Sequence, residues 1–141
     1  MPVTRDEMIA TVKKIVGLGK EQRHEEVFAA YHQLFADPGF PELAASDQRK
    51  ALELMVLSKN QPSPKPPSYL EAHRAALGPL TELVSRDGEP SDHELLGVCH
   101  LRLGNEMAAS NIFKAGLKIE RERGNSATDL CGRLMNRVSA I

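Results

Sequence analysis

Residues 91–124 read SDHELLGVCHLRLGNEMAASNIFKAGLKIERERG, and the fold can be worked out from this stretch outward. Ser91, followed three residues on by Glu94, predicts a capping box at the start of a helix. That helix runs to about Leu103. Gly104–Asn105 then predicts a tight turn, because glycine enters the left-handed region without the strain a side chain brings. A second helix runs from about Glu106 to Arg123, with Ala109, Ile112, Phe113, Leu117 and Ile119 inside and Gly124 as its C-terminal cap. Gly97 and Ala109 are small, so two antiparallel helices can approach closely. Leu103 and Phe113 fill the seam between them.

The same punctuation continues toward both ends. Thr4 with Glu7 predicts a capped helix over about residues 5–18, striped by Met8, Ile9, Val12, Ile15 and Val16 and ended by Gly17 and Gly19. Residues 21–35 predict a second helix with Val27, Phe28, Tyr31, Leu34 and Phe35, stopped by Asp37–Pro38–Gly39. Phe40–Ala45 reads as an apolar turn over the core. Ser46 or Asp47 caps a third helix that runs to about Lys59, with Ala51, Leu54, Met55 and Leu57 as its stripe. Pro62, Pro64, Pro66 and Pro67 forbid a helix interior and predict a stiff, extended linker over 61–67. Ser68 with Glu71 predicts the cap of a fourth helix, in which Gly78–Pro79 predicts a kink or a break. A seventh helix starts near Ser126–Asp129, with Leu130, Leu134 and Val138 as its stripe. The composition agrees: 17 Leu and 15 Ala stand against 17 Val, Ile and Thr combined, and aromatics are 4% with no Trp. Strands favour β-branched and aromatic residues, helices favour Leu and Ala, so the fold class is all-α.

The order Leu96–Gly97, His100, Leu103–Gly104, Ala109, Phe113 resembles a tetratricopeptide repeat. His93 stands where that family often has Trp, Gly116 where it prefers Ala, and Arg121 where it has a later Pro. Leu18–Gly19 and the segment Ala51–Ser58 resemble degenerate copies. Their turn residues Gly19, Ser58 and Gly104 lie 39 and 46 apart, against a family period of about 34. The resemblance implies antiparallel helix-turn-helix pairs stacked as a short right-handed solenoid of about three repeats in a single domain, 1–141. The repeats fall at 4–36, at 45–87 with the proline-rich linker 61–67, and at 91–124. A capping helix at 126–140 shields the last apolar face.

Charge and motifs narrow the function classes. The chain has 141 residues and a formal net charge of −1. Residues 1–70 carry 9 basic and 9 acidic side chains and residues 71–141 carry 9 and 10, so no polarised half points to nucleic acid or to an anionic membrane. No apolar run approaches the roughly 18–20 residues that cross a bilayer. Arg5, Asp6 and Glu7 are unlike a secretory leader, and Cys99 and Cys131 form no CxxC, so the expectation is a cytoplasmic chain with reduced thiols. There is no phosphate-binding loop, dinucleotide fingerprint, zinc-protease helix or nucleophile elbow. His93, Cys99 and His100 are the densest set of metal-ligating types, but a site would need a further ligand such as His73. They read better as a ring-filling histidine and a small thiol. No catalytic residue, no metal and no cofactor is expected.

What remains is a surface. In the family the first helix of each pair lines a concave groove, and Glu94, Val98, Leu101 and Arg102 match those positions. Aligned more loosely, the third helix offers Gln48, Leu52, Met55 and Val56, and the first offers Ile9, Lys13 and Val16. A mixed apolar and charged groove suits a peptide or helix of another protein, in an adaptor or chaperone-like role. In size and repeat count the chain resembles the small three-repeat chaperones of bacterial secretion systems. It lacks the helix Asn residues of a carboxylate clamp. The alternative is a self-associating structural domain, a homodimer through the same groove or a solenoid end. A small helical metal- or ligand-binding enzyme is the third reading.

Overall fold

The Thr4–Glu7 spacing closes as a capping box. The Glu7 amide donates to Thr4 Oγ1 at 3.2 Å, and the Thr4 amide donates to Glu7 Oε1 at 3.3 Å. From there the computed structural model describes residues 2–141, all helix, turn or coil. Its helices are α1 (Arg5–Lys20), α2 (His24–Ala36), α3 (Ala45–Val56), α4 (Pro67–Asp87), α5 (Pro90–Arg102), α6 (Glu106–Glu122) and α7 (Asp129–Ser139), with a short 3₁₀ turn at Phe40–Glu42. The chain divides into two compact units, Met1–Pro79 and Leu80–Ile141, with the boundary inside α4.

Three helix ends share one closing geometry. After α5, Gly104 takes φ +81°, its amide donates to the Leu101 carbonyl, and the Asn105 amide donates to the His100 carbonyl at 2.8 Å. After α6, Gly124 takes φ +77° and the Asn125 amide reaches the Glu120 carbonyl at 2.9 Å. Both satisfy carbonyls that a helix end leaves open. After α1 the same bonds run from Gln22 to Gly19 and from Arg23 to Leu18, and the left-handed residue is Gln22, at φ 59°. Gly17 and Gly19, expected to end this helix, lie within it.

Prolines override two of the expected serine caps. Pro67 and Pro90 open α4 and α5, since a fixed φ and a missing amide suit the first helical position. Ser68 Oγ is thereby released to donate to the Glu25 carbonyl at 3.0 Å. At α3 the N-cap is Ala44 and has no side-chain bond. Asp47 instead takes the Arg5 guanidinium at 3.0 Å, tying the start of α1 to α3. Of the kink or break expected at Pro79, the break does not occur, and α4 runs on to Asp87. Gly78 lacks the Cβ that normally drives the residue before proline out of the helical region. Ala76, Leu80 and Leu83 are buried on either side.

In the first unit a chain of rings forms the core. Phe40 lies 5.2 Å from Phe35, Phe35 stacks on Tyr31 at 5.6 Å, and Phe28 meets Tyr69 edge-on at 4.8 Å. The proline linker is bound to this core. Tyr69 Oη donates to Gln61 Oε1 at 2.5 Å, Gln61 Nε2 donates to the Ser58 carbonyl at 2.6 Å, and Lys65 Nζ sits 5.1 Å from the Tyr69 ring centroid. Asp37 Oδ1 accepts from the amides of Val3 and Gly39 at 3.0 and 2.8 Å, which holds its carboxyl below the usual range.

In the second unit the small residues do what their spacing predicts. A Cβ on Gly97 would lie within 2.8 Å of three carbons of the Phe113 ring, and one on Gly116 would lie 2.7 Å from His93 Cβ. Phe113 and Ala109 are fully buried. The turn into α7 is held by Glu120, whose carboxylate accepts from Thr128 Oγ1 at 2.8 Å and Asn125 Nδ2 at 3.2 Å.

Gln22 is the one described non-glycine residue with positive φ. A left-handed side chain costs about 1 kcal/mol, so Gln22→Gly should raise the urea midpoint, adding about 1 kcal/mol of stability with an unchanged m-value.

Candidate interaction groove

The face shared by α1 and α3 in the first unit combines exposed apolar side chains with cavities. On α1, Ile9, Val12 and Val16 follow the i, i+3, i+7 spacing of one helical stripe, beside the buried Met8 and Ile15. On α3 the core stripe is Ala51, Leu52, Met55 and Val56. Leu54 lies about 130° around the helix from the centre of that stripe, at about 100° per residue. It is therefore 48% exposed, and Val16 is 43% exposed. Two cavities meet along this seam. One, of about 330 Å³, is lined by Ile15, Val16 and Lys20 of α1, by His24, Val27, Phe28 and Tyr31 of α2, and by Leu54 and Met55 of α3. The other, of about 300 Å³, is formed by Met8, Ile9, Val12, Ala51 and Leu54 and edged by Lys13 and Lys50, with the Arg5–Asp47 pair at one end. Leu54 lines both.

The residues expected to line a groove separate into two sets. Lys13 is exposed at this seam, and Met55, although 1% exposed, forms part of a cavity wall. Gln48 and Leu52 are interior instead. Gln48 Nε2 donates to the carbonyls of Leu43 and Pro41 at 2.8 and 3.2 Å, fixing the 3₁₀ turn, and Leu52 is fully buried. On α5, Val98 and Glu94 are buried, at 2% and 4% exposure, while Leu101 and Arg102 are half-buried. Gln48, Leu52, Val56, Val98 and Glu94 are thus buried in the fold rather than exposed along a groove.

Glu94 has a structural task. Its carboxylate accepts from Arg133 Nε at 3.0 Å and from Arg137 Nε at 2.8 Å, two arginines one turn apart on α7. Pairing with Glu94 raises the Arg133 pKa. Arg137 also lies 5.9 Å from the Phe113 ring centroid. A buried carboxylate needs such partners, because desolvation alone would neutralise it. The reading of Glu94 as a surface charge missed this because both arginines lie some forty residues further along the chain.

Burial is the main cause of the shifts at Cys99, Tyr31 and His100. It pushes the Cys99 thiol up to about 12, countered by Arg102, and the Tyr31 phenol up to about 12. Cys99 and Cys131 are buried thiols and form no disulfide. Burial lowers the His100 pKa, and Asn105 Nδ2 donates to His100 Nδ1 at 3.3 Å, a bond that needs the neutral ring. Among the described residues no three His, Cys, Asp or Glu side chains converge as a metal set, and no helix is long and apolar enough to cross a membrane. The chain matches no model of a protein family, no curated protein and no solved structure.

Glu94→Gln should remove about 2 kcal/mol of stability by leaving two guanidinium groups facing a neutral amide. Amide exchange read by NMR should show α7 opening before α5 and α6.

The lowered His100 pKa means that the folded state binds fewer protons than the unfolded chain as pH falls from about 6.5 toward the folded pKa. Stability is full above that window and declines through it. In paired melts at pH 5 to 7, His100→Gln should show a smaller loss toward acid than the wild-type chain.

Proposed function

We propose that this chain is a non-catalytic interaction module that binds a peptide or helix of a partner protein along the α1–α3 face. The observation that carries this reading is the pair of half-exposed side chains, Val16 and Leu54, where two apolar cavities meet. Covering Val16, Leu54 and the neighbouring Ile9 and Val12 would remove apolar surface from water at about 25 cal/mol per Å². Rows of apolar side chains between two helices are the usual seat of a helix-in-groove complex. The tetratricopeptide-like reading of the α5–α6 pair, from Leu96–Gly97, His100, Leu103–Gly104, Ala109 and Phe113, belongs to the same proposal. An adaptor or chaperone-like role follows from a binding face carried by a small helical scaffold.

The test is selection of helical peptides from a random library on the wild-type chain, with each selected peptide then titrated against Leu54→Glu. Leu54 is half-exposed, so the variant should keep its circular dichroism spectrum. Selected peptides should bind Leu54→Glu at least about tenfold more weakly, because a carboxylate in the seam must be desolvated. Equal binding to both proteins would remove the α1–α3 face from consideration. A wild-type dimer in sedimentation that Leu54→Glu dissociates would transfer the face to self-association.

A further inference from the structure

We infer that the α1–α3 seam takes an acidic amphipathic helix, with its carboxylates set against a lysine rim. This inference rests on the groove reading above and adds the chemistry of the occupant. Viewed down α1, Val12, Val16 and Ile9 form the apolar stripe, and Lys20 and Lys13 lie next to it on the solvent side, at about 100° per residue. Across the seam on α3, Lys50 stands one turn before Leu54 and also edges the cavity. The side chains around the opening with formal charge are Arg5, Lys13, Lys20, Lys50, Asp47 and Glu53. Arg5 and Asp47 neutralise each other at 3.0 Å. Among the described residues no carboxylate pairs with Lys13, Lys20 or Lys50. Three unpaired ammonium groups therefore face one carboxylate, Glu53, around an apolar floor.

This local excess of positive charge stands out in a chain whose net charge is −1. It discriminates between occupants. A second copy docking face to face through a two-fold axis would bring the same lysine-rich rim against itself. A basic helix meets the same repulsion. An acidic helix gains charge complementarity at the rim while its apolar side covers Val16 and Leu54. The geometry also sets its length. Ile9 to Lys20 spans about 16 Å of helix axis, so about three turns of a bound helix are engaged.

The probe is a fluorescein-labelled synthetic helix of about 16 residues, long enough to hold helical structure. It carries Leu at i, i+4, i+7 and i+11 and Glu on both flanks. Its twin carries Lys in place of every Glu. Fluorescence anisotropy is measured with the full chain at low and high salt. The acidic helix should bind about tenfold tighter than its lysine twin at low salt, and the gap should shrink as salt screens the rim. The double variant Lys13→Glu/Lys50→Glu should reverse the preference, and Leu54→Glu should weaken both helices.

Equal binding of the two helices, unaffected by the charge reversal but weakened by Leu54→Glu, would overturn the acidic occupant and leave the groove standing. Binding of neither helix, or undiminished binding by folded Leu54→Glu and Val16→Glu, would overturn both. A wild-type dimer dissociated by Leu54→Glu would also overturn the acidic occupant in favour of a second copy.

Discussion

A helix that ends must turn its chain away without stranding its last carbonyls, and this chain meets that constraint three times with one device. A left-handed residue follows the helix, and two amides fold back onto the last turn. Gly124 carries α6 into the turn that Glu120 then fastens. Gly104 lets α6 return directly along α5, which is what allows Gly97 to lie against Phe113. Gln22 does the same after α1 at a cost in strain, and it directs α2 so that its aromatic side chains join the ring cluster of the first unit.

Polar side chains are used as internal fasteners throughout. Gln48 fixes the 3₁₀ turn, Asp37 gathers the Val3 and Gly39 amides, Glu120 holds the approach to α7, and Glu94 receives two arginines from it. Each is a long-range or turn-closing bond in a place where an apolar side chain would leave donors unsatisfied. The result is that several charged and amide groups that look like surface chemistry are spent on holding the fold. At the α1–α3 seam, by contrast, lysines without a carboxylate partner stand beside exposed Val16 and Leu54.

The order of the helices was legible because apolar periodicity and turn residues are local signals. Helix starts were less so. Thr4 capped as its spacing predicts, but the Ser68 and Ser91 patterns lost to Pro67 and Pro90, which begin a helix through a fixed φ. The turn after α1 was hidden because glutamine is a poor marker for a left-handed residue. On the proposed face, the α1 positions Ile9, Lys13 and Val16 were legible as a stripe with a charged edge. Leu54 was hidden by being counted with the α3 core, although its phase differs from Ala51, Leu52, Met55 and Val56. Glu94 and Val98 were misplaced for a different reason. The burial of a side chain on α5 depends on what covers it, and no local spacing records that the partners of Glu94 lie on α7.

The placement of the ring core also decides how this molecule can be watched. The chain has two tyrosines and no tryptophan. Tyr31 and Tyr69 are both buried, at 4% and 0% exposure, and both belong to the unit that ends at Pro79. Both tyrosines, which dominate the native emission, thus sit on one side of the boundary. Tyrosine fluorescence is an optical label for the ring cluster and the groove-bearing helices, and it is blind to the opening of α5, α6 and α7. The helical far-ultraviolet signal reports on both units, so a melt followed by both methods separates one unit's transition from the other without any added dye.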